Sequence, residues 1–184
     1  MRLPYRDLRT DRLILRRPRE GDAPLIFESF GSDPEVTRFL TWRPHGAIAD
    51  AEVALAERIE RLVQGIEYSW VLELSDSGRL VGMISAWIDE AGAELGFVLG
   101  RSHWNQGLST EAVLSVTEWA LGSPAVSRVW ATCDVENLAS ARVLEKAGFA
   151  DCGRYERQVI RPNLGPDARP SLLFRIQSAR TPAP

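Results

Sequence analysis

Three features of the sequence predict an α+β fold built on one central, mixed and mostly antiparallel sheet. Between Tyr68 and Leu99, three apolar runs succeed one another with only short turn-forming stretches between them, the pattern of an antiparallel meander. From Glu94 onward the order becomes strand, helix, strand, helix, strand, which implies crossovers returning to the same sheet. The 184 residues are 45% hydrophobic and 26% charged, the balance of one ordinary soluble domain and too short for two full enzyme domains.

The elements follow in order. A short apolar run predicts a first strand over 13–16, after which Asp22 is suited to N-cap a helix. Leu25, Ile26, Phe27 and Phe30 keep helical spacing up to Gly31, and Asp33 with Pro34 restarts a short second helix that reaches Phe39. Over 49–64, Leu55, Ile59, Leu62 and Val63 fall at i, i+4, i+7 and i+8, with Glu57, Arg58, Glu60 and Arg61 on the other side; this amphipathic helix stops at Gly65. Tyr68, Trp70, Leu72 and Leu74 alternate with Ser69, Val71 and Glu73, and the turn at Asp76, Ser77 and Gly78 leads into an apolar strand over 80–88. A second turn over 89–92 precedes a strand over 94–99. Beyond the loop GRSHWNQG, Leu108, Ala112, Val116 and Ala120 recur every fourth residue in a helix that closes near Gly122 and Pro124. A strand over 128–134 follows, then a helix over 137–147 with Asn137 as N-cap and Gly148 as its stop, and a further strand from Phe149. Three prolines and a glycine make 160–170 a loop before a last strand over 172–176. The expected domain is 1–178, with 179–184 a flexible C-terminal tail.

Composition excludes several classes. The 22 Lys and Arg against 25 Asp and Glu leave a formal charge of −3, with both signs interspersed, so no basic surface for nucleic acid or an anionic membrane is expected. The charge-free stretch over 80–88 is about half of the roughly 18 residues a membrane span needs. The N-terminal MRLPYRDLRTDR has no apolar core ahead of its charges, so the expectation is a cytoplasmic protein. Cys133 and Cys152 form no CxxC pair, and His45 and His103 lie far from them in sequence; reduced thiols and no metal are expected.

The most informative segment is WNQGLSTEA, starting at Trp104, between a strand and a helix. A glycine-containing loop entering a helix leaves first-turn N–H groups unpaired and pointing to one spot, with the positive end of the helix dipole behind them. Such a spot takes an anion, most often phosphate. Gly107 would let the backbone approach closely, and Ser109 and Thr110 would add hydroxyl donors; the alternative is that Gly107 only makes the turn and Ser109 or Thr110 only caps the helix. The loop lacks the GK[ST] of a nucleoside triphosphate loop and the GxGxxG of a dinucleotide loop.

WNQGLSTEA, followed about twenty-five residues later by NLASARVLEKAGF, resembles the acetyl-CoA-binding core of the Gcn5-related N-acetyltransferases (GNAT). The opening LRTDRLILRRPREGDA resembles the branch of that family containing the RimJ and RimL ribosomal-protein N-terminal acetyltransferases, and the likeness runs over 8–149 with three segments in the right order. The resemblance implies the GNAT fold, a twisted central sheet of about seven strands flanked by helices, with splayed fourth and fifth strands. It implies that backbone N–H groups of Asn105, Gln106, Gly107, Leu108, Ser109 and Thr110 hold the CoA pyrophosphate. Phe97, Val98 and Leu99 on the fourth strand would pair with the pantetheine arm, Asn137 would hydrogen-bond it, and Ser140 would face the thioester sulfur. Lys146 and Arg142 would reach the adenosine phosphates, or remain solvated charges on their helix. Two departures stand out: Trp104 and Asn105 occupy positions often filled by Arg or Gln and by Gly, and Leu144 stands where many relatives carry a general-acid tyrosine.

The implied reaction is attack of an amine on a thioester, which requires no Ser or Cys nucleophile. Deprotonating an α-amine of pKa about 8 costs only about 1.4 kcal/mol at pH 7, against roughly 4.6 kcal/mol for a lysine near 10.4, so a weak or water-mediated base suffices for an N-terminal amine. Glu94, at the start of the fourth strand, resembles the acidic residue of this branch and is the candidate base; a solvated strand-edge carboxylate is the alternative. The leaving thiolate, of pKa about 8.5, needs a hydrogen bond more than a strong acid, and Ser140 fits that demand unless it only caps its own helix. The expected function is acetyl transfer from acetyl-CoA to a primary amine, either a protein N-terminal amine or a small molecule, in a monomer or homodimer. The missing tyrosine keeps open a non-catalytic acyl-CoA-binding module. Trp70, Trp87 and Trp130 are expected in the core, while Trp42 either packs in the core or lines the acceptor groove. The family's acceptor-specifying regions correspond to 26–49 and 160–170, where Arg38, Arg43, Arg161 and Arg169 would suit an acidic acceptor or merely be solvated.

Overall fold

The computed structural model of the chain describes residues 2–178, apart from the side chains at 157 and 158. The tail expected at 179–184 lies outside the described residues. Strands β1 (Leu8–Arg9), β2 (Leu13–Arg16), β3 (Glu67–Leu74), β4 (Leu80–Asp89), β5 (Gly92–Leu99), β6 (Arg128–Asp134), β7 (Ala150–Ile160) and β8 (Ala168–Gln177) form one sheet in the order β1-β2-β3-β4-β5-β6-β8-β7. Helices α1 (Ala23–Ile26), α2 (Pro34–Thr37), α3 (Ile48–Gln64), α4 (Leu108–Leu121) and α5 (Leu138–Lys146) flank it. The mixed α+β architecture is as expected, with β3, β4 and β5 an antiparallel meander and α4 the crossover that brings β6 in parallel to β5.

Four local expectations are corrected. The sheet has eight strands rather than seven because Leu8 pairs with Leu15 and Arg9 with Ile14, a strand of two residues that no alternation reveals. The strands expected fourth and fifth are therefore β5 and β6. Strand β8 begins at Ala168, shortening the expected loop; Pro170 is tolerated because β6 pairs only as far as Ser171 and β7 is irregular between Tyr155 and Val159. Asp22 does not cap α1: its carboxylate accepts from the Arg19 N–H at 2.8 Å and receives both arms of the buried Arg16 guanidinium at 2.7 and 2.8 Å. A charged, bidentate partner outcompetes the weaker helix-cap bond. Beyond α1 the chain widens into a π turn at Phe27–Gly31 instead of continuing as one regular helix.

Alternation along the meander separates two apolar layers. Tyr68, Trp70 and Leu72 of β3 meet α4, where the Trp119 ring stands edge-on to Trp70 at 4.8 Å. Val71 and Met83 face the opposite way, against Ile26, Phe30 and Leu55 of the N-terminal helical layer. Trp70 is the tryptophan that fills the core as expected; Trp87 and Trp130 are only half-buried. Among the described residues, no helix is long and apolar enough to cross a membrane.

Candidate active site

The site begins where two ladders part. Strand β5 pairs with β6 only at Ala93↔Val129, Glu94↔Trp130 and Leu95↔Ala131, whereas β5 stays registered on β4 as far as Leu99 and β6 on β8 as far as Asp134. Each strand follows its other neighbour, and the right-handed sheet twist carries the two apart. A cavity of about 640 Å³ opens in the gap, with Gly96, Phe97 and Val98 on one wall and Thr132 and Cys133 on the other. That volume lies in the range of small-molecule sites. Gly82 of β4 backs the first wall, and only glycine fits there: a Cβ would stand 2.4 Å from the Val98 carbonyl oxygen.

Helix α5 closes one side of the cavity. Asn137 caps it as expected, accepting from the Ser140 N–H at 3.2 Å, so Ser140 takes part in this cap through its backbone. Asn137, Ser140 and Leu144 line the cavity from this helix, while Glu94 reaches it from β5, opposite Trp87 in the register. The polar floor comes from α3 and the meander. Glu67, 1% exposed, receives Arg58 at 2.5 Å, Arg61 at 2.8 Å and the Ser69 and Ser85 hydroxyls at 2.8 Å. Burial pushes the Glu67 carboxyl up, but the two guanidinium charges and two hydroxyl donors win and hold it below the usual carboxylate range. Trp42 and His45, stacked at 5.1 Å, line the cavity as well, and Trp42 also packs against the core layer of Ile26, Phe30 and Leu55.

The loop expected to hold phosphate lies beyond the cavity, at the entrance to α4. Its path is fixed by the Trp104 indole N–H, which donates to the Leu99 carbonyl at 2.7 Å, and by left-handed backbone at Asn105 (φ 59°) and Gly107 (φ 80°). Asparagine and glycine are the residues that accept such φ values most readily. Among the described residues, nothing accepts from the backbone N–H groups of residues 105–110. Arg12, on the turn between β1 and β2, braces the loop: its Nη1 donates to the Gln106 carbonyl at 2.9 Å, and its Nη2 lies 2.8 Å from Glu111 Oε2. Glu111 also accepts from the Thr10 hydroxyl and from the Arg12 N–H. Burial raises the Glu111 carboxyl, but these donors and the Arg12 charge bring it below the ordinary carboxylate value.

The structure therefore brings five expected residues, Glu94, Phe97, Val98, Asn137 and Ser140, to one cavity. Asn105, Gln106, Gly107, Ser109 and Thr110 lie on a separate loop and helix start, partly or fully exposed. Leu99 and Leu108 are buried in the core and lie outside the cavity lining. Lys146 is exposed in the last turn of α5 and lies outside the cavity lining. Sequence reasoning missed Trp87, Arg58, Arg61 and the Arg12 brace. Parity would have found Trp87, since Met83, Ser85 and Trp87 alternate onto the cavity side; nothing local signals Arg12, whose partners are about a hundred residues away. Cys133 also lines the cavity, its thiol pushed up to about 11 chiefly by burial. Among the described residues, no three His, Cys, Asp or Glu side chains are grouped so as to hold a metal.

A family model described as an acetyltransferase (GNAT) domain matches residues 12–150. The uncharacterized N-acetyltransferase YoaA of Bacillus subtilis (strain 168) is 33% identical over 148 residues, covering 77% of this chain and 81% of YoaA. Among solved structures, Mycobacterium smegmatis RimJ in complex with CoA-disulfide superposes with a TM-score of 0.81 at 21% identity, covering 97% of this chain and 88% of RimJ. RimL, the ribosomal L7/L12 α-N-protein acetyltransferase, in complex with coenzyme A, gives 0.82 at 16%, with 94% and 98% covered. The microcin C7 self-immunity acetyltransferase MccE, in complex with acetyl-CoA and AMP, gives 0.82 at 17%, with 91% and 93% covered.

Proposed function

From the premise that the chain belongs to the acetyltransferase (GNAT) family and is an acetyl-CoA-dependent N-acetyltransferase, we propose that it moves the acetyl group to a primary amine by direct attack in a ternary complex. The acceptor is a protein N-terminal α-amine or a small-molecule amine. The observation that carries this reading is the parting of β5 from β6 after three residue pairs, with Glu94 and Ser140 lining one cavity in the gap.

The residues present fit the cosubstrate. The N–H groups of residues 105–110 have no partner among the described residues, and the positive end of the 14-residue α4 lies behind them, a suitable cradle for the pyrophosphate. Backbone groups of residues 96–98, released from pairing with β6, are free to bond the amides of the pantetheine arm. The Asn137 amide nitrogen is the donor left by a side chain whose oxygen caps α5. The thioester brings the acetyl group and a thiolate leaving group. Ser140 donates a hydrogen bond to the sulfur as charge gathers there, and Leu144, buried where a tyrosine is common, leaves that donation to Ser140. Glu94 takes the amine proton, directly or through a water. Trp87, opposite Glu94 in the register, lines the same cavity.

The test is calorimetric titration with acetyl-CoA, followed by CoA release against peptides of varied N-terminus, polyamines, aminoglycosides and amino acids. RimL acts on a ribosomal protein and MccE confers immunity to microcin C7, so the panel spans both kinds of acceptor. Binding with turnover on one class supports the reading and names the acceptor. Binding without turnover on any amine overturns the catalytic roles of Glu94 and Ser140, and no binding overturns the cosubstrate assignment.

A further inference from the structure

Arg161 follows β7, lines the same cavity and is only 3% exposed. Its Nε donates to the Phe39 carbonyl at 3.1 Å and lies 3.7 Å from Asp134 Oδ2. That carboxylate is already committed: it receives Arg169 Nε at 2.8 Å and the Glu136 N–H at 2.9 Å. Arg161 Nη1 is buried with no hydrogen-bond partner among the described residues. The cavity's other arginines differ, because Glu67 takes both Arg58 and Arg61 at 2.5 and 2.8 Å. A buried charged donor without an acceptor is costly, and one kept at the wall of a cavity calls for a partner that the cavity can supply.

Resting on the acetyltransferase reading above, we propose that Arg161 receives a carboxylate of the acceptor, so that the amine this enzyme acetylates carries a carboxylate a few bonds away. A planar guanidinium matches carboxylate geometry better than any other side chain does. The same cavity also carries apolar lining from Phe39, Trp42, Leu55 and Phe97, which suits a short hydrocarbon spacer. The same incompletely neutralised charge disfavours polyamines and aminoglycosides, whose additional cations would meet it in a desolvated space. Two sources share this chemistry: free amino acids, and peptides whose first residue is Asp or Glu.

The test compares matched acceptors under saturating acetyl-CoA: peptides beginning with Asp or Glu against the same peptides beginning with Asn or Gln, and alanine against alaninamide after correction for the free-amine fraction. The expected result is a kcat/KM preference for the acid of roughly 10- to 100-fold in at least one pair. The pair that shows it separates the peptide source from the free amino acid. In Arg161→Met the preference collapses toward one while the acetyl-CoA Kd stays within a fewfold of the parent; Arg161→Lys, which keeps the charge and loses the planar fork, retains part of it. Should Arg161→Met fail to fold, the parent's acid-to-amide ratio decides alone. Acetylation of amines with no acid preference, or a preference that survives Arg161→Met, overturns this proposal and leaves the acetyltransferase reading standing. Failure to bind acetyl-CoA overturns both.

Discussion

Replacing Arg12 with Met removes a cation beside the loop of residues 105–110 and a brace from its backbone. The guanidinium is half-exposed, donates to the Gln106 carbonyl at 2.9 Å and lies 3.5 Å from where a Cβ on Gly107 would stand. An anion held on the neighbouring N–H groups would therefore sit on the order of 6 Å from the positive charge. At a water-like dielectric constant, that separation is worth about 0.7 kcal/mol per unit charge, or roughly 1.4 kcal/mol for the two charges of a pyrophosphate. Losing the exposed hydrogen bond to Gln106 adds about 0.5 kcal/mol. The sum, roughly 2 kcal/mol, corresponds to a rise in the acetyl-CoA Kd of about 10- to 30-fold. Calorimetry at low salt measures it, with S-acetylpantetheine, which lacks the pyrophosphate, as the control whose affinity stays unchanged. The difference shrinks as ionic strength rises, because exposed charges are screened. An equal loss for both ligands, or a change below about twofold for acetyl-CoA, refutes the assignment of this loop to the pyrophosphate.

Ser140→Ala is expected to lower kcat by roughly 10- to 100-fold while leaving the acetyl-CoA Kd within about threefold, measured by single-turnover kinetics and titration; equal losses in both would remove its assigned role. Glu67→Gln strips the charge that Arg58 and Arg61 share, and is expected to cost about 2 kcal/mol at pH 7, less than a fully buried pair because both arginines are partly exposed. For a chain of 184 residues that is about 5 °C in Tm. Because the folded Glu67 pKa is lowered, its stabilisation is present above the unfolded value of about 4.3 and is lost as pH falls through the folded value; the gap between parent and variant narrows as the pH is lowered below that unfolded value, and a gap that stays constant throughout the acid range refutes the linkage. Cys133, pushed up to about 11, is expected to resist iodoacetamide at pH 7.5 until the chain unfolds, while the exposed Cys152 alkylates first, as peptide mass mapping would report. Labelling of Cys133 at the same rate contradicts its burial.

Local patterning carried most of the fold into view. The meander, the amphipathic α3 and the crossover α4 rest on periodicities and turn residues that act within a dozen positions of one another. What the sequence hid is long-range pairing. Asp22 looks like a helix cap, and only the fold brings Arg16 of β2 against both its oxygens. Glu67, just ahead of the run that begins at Tyr68, carries no signal of its own in the sequence, yet it is sealed under two arginines of α3. At the site, Glu94, Asn137 and Ser140 were legible because the family resemblance marked them. Arg12, Trp87 and the unpartnered nitrogen of Arg161 were not, since each acquires its significance from a neighbour many residues away or from the parity of a strand whose two faces are both covered.

The parting of β5 from β6 also has a mechanical side. Five strands on one side and three on the other are stitched across the sheet by three residue pairs. An interrupted ladder is a seam, and the strand edges exposed along it offer the donors and acceptors that a sheet normally spends on itself. A pantetheine arm laid into the seam would supply the missing rungs, so that loading the enzyme would extend the hydrogen-bonded span of its own sheet and product departure would shorten it. Those amide protons of residues 96–99 and 132–134 that face the gap, alternate ones along each strand, should then exchange quickly in the free protein and slow down together when the arm is in place, while those turned to β4 and β8 stay protected throughout.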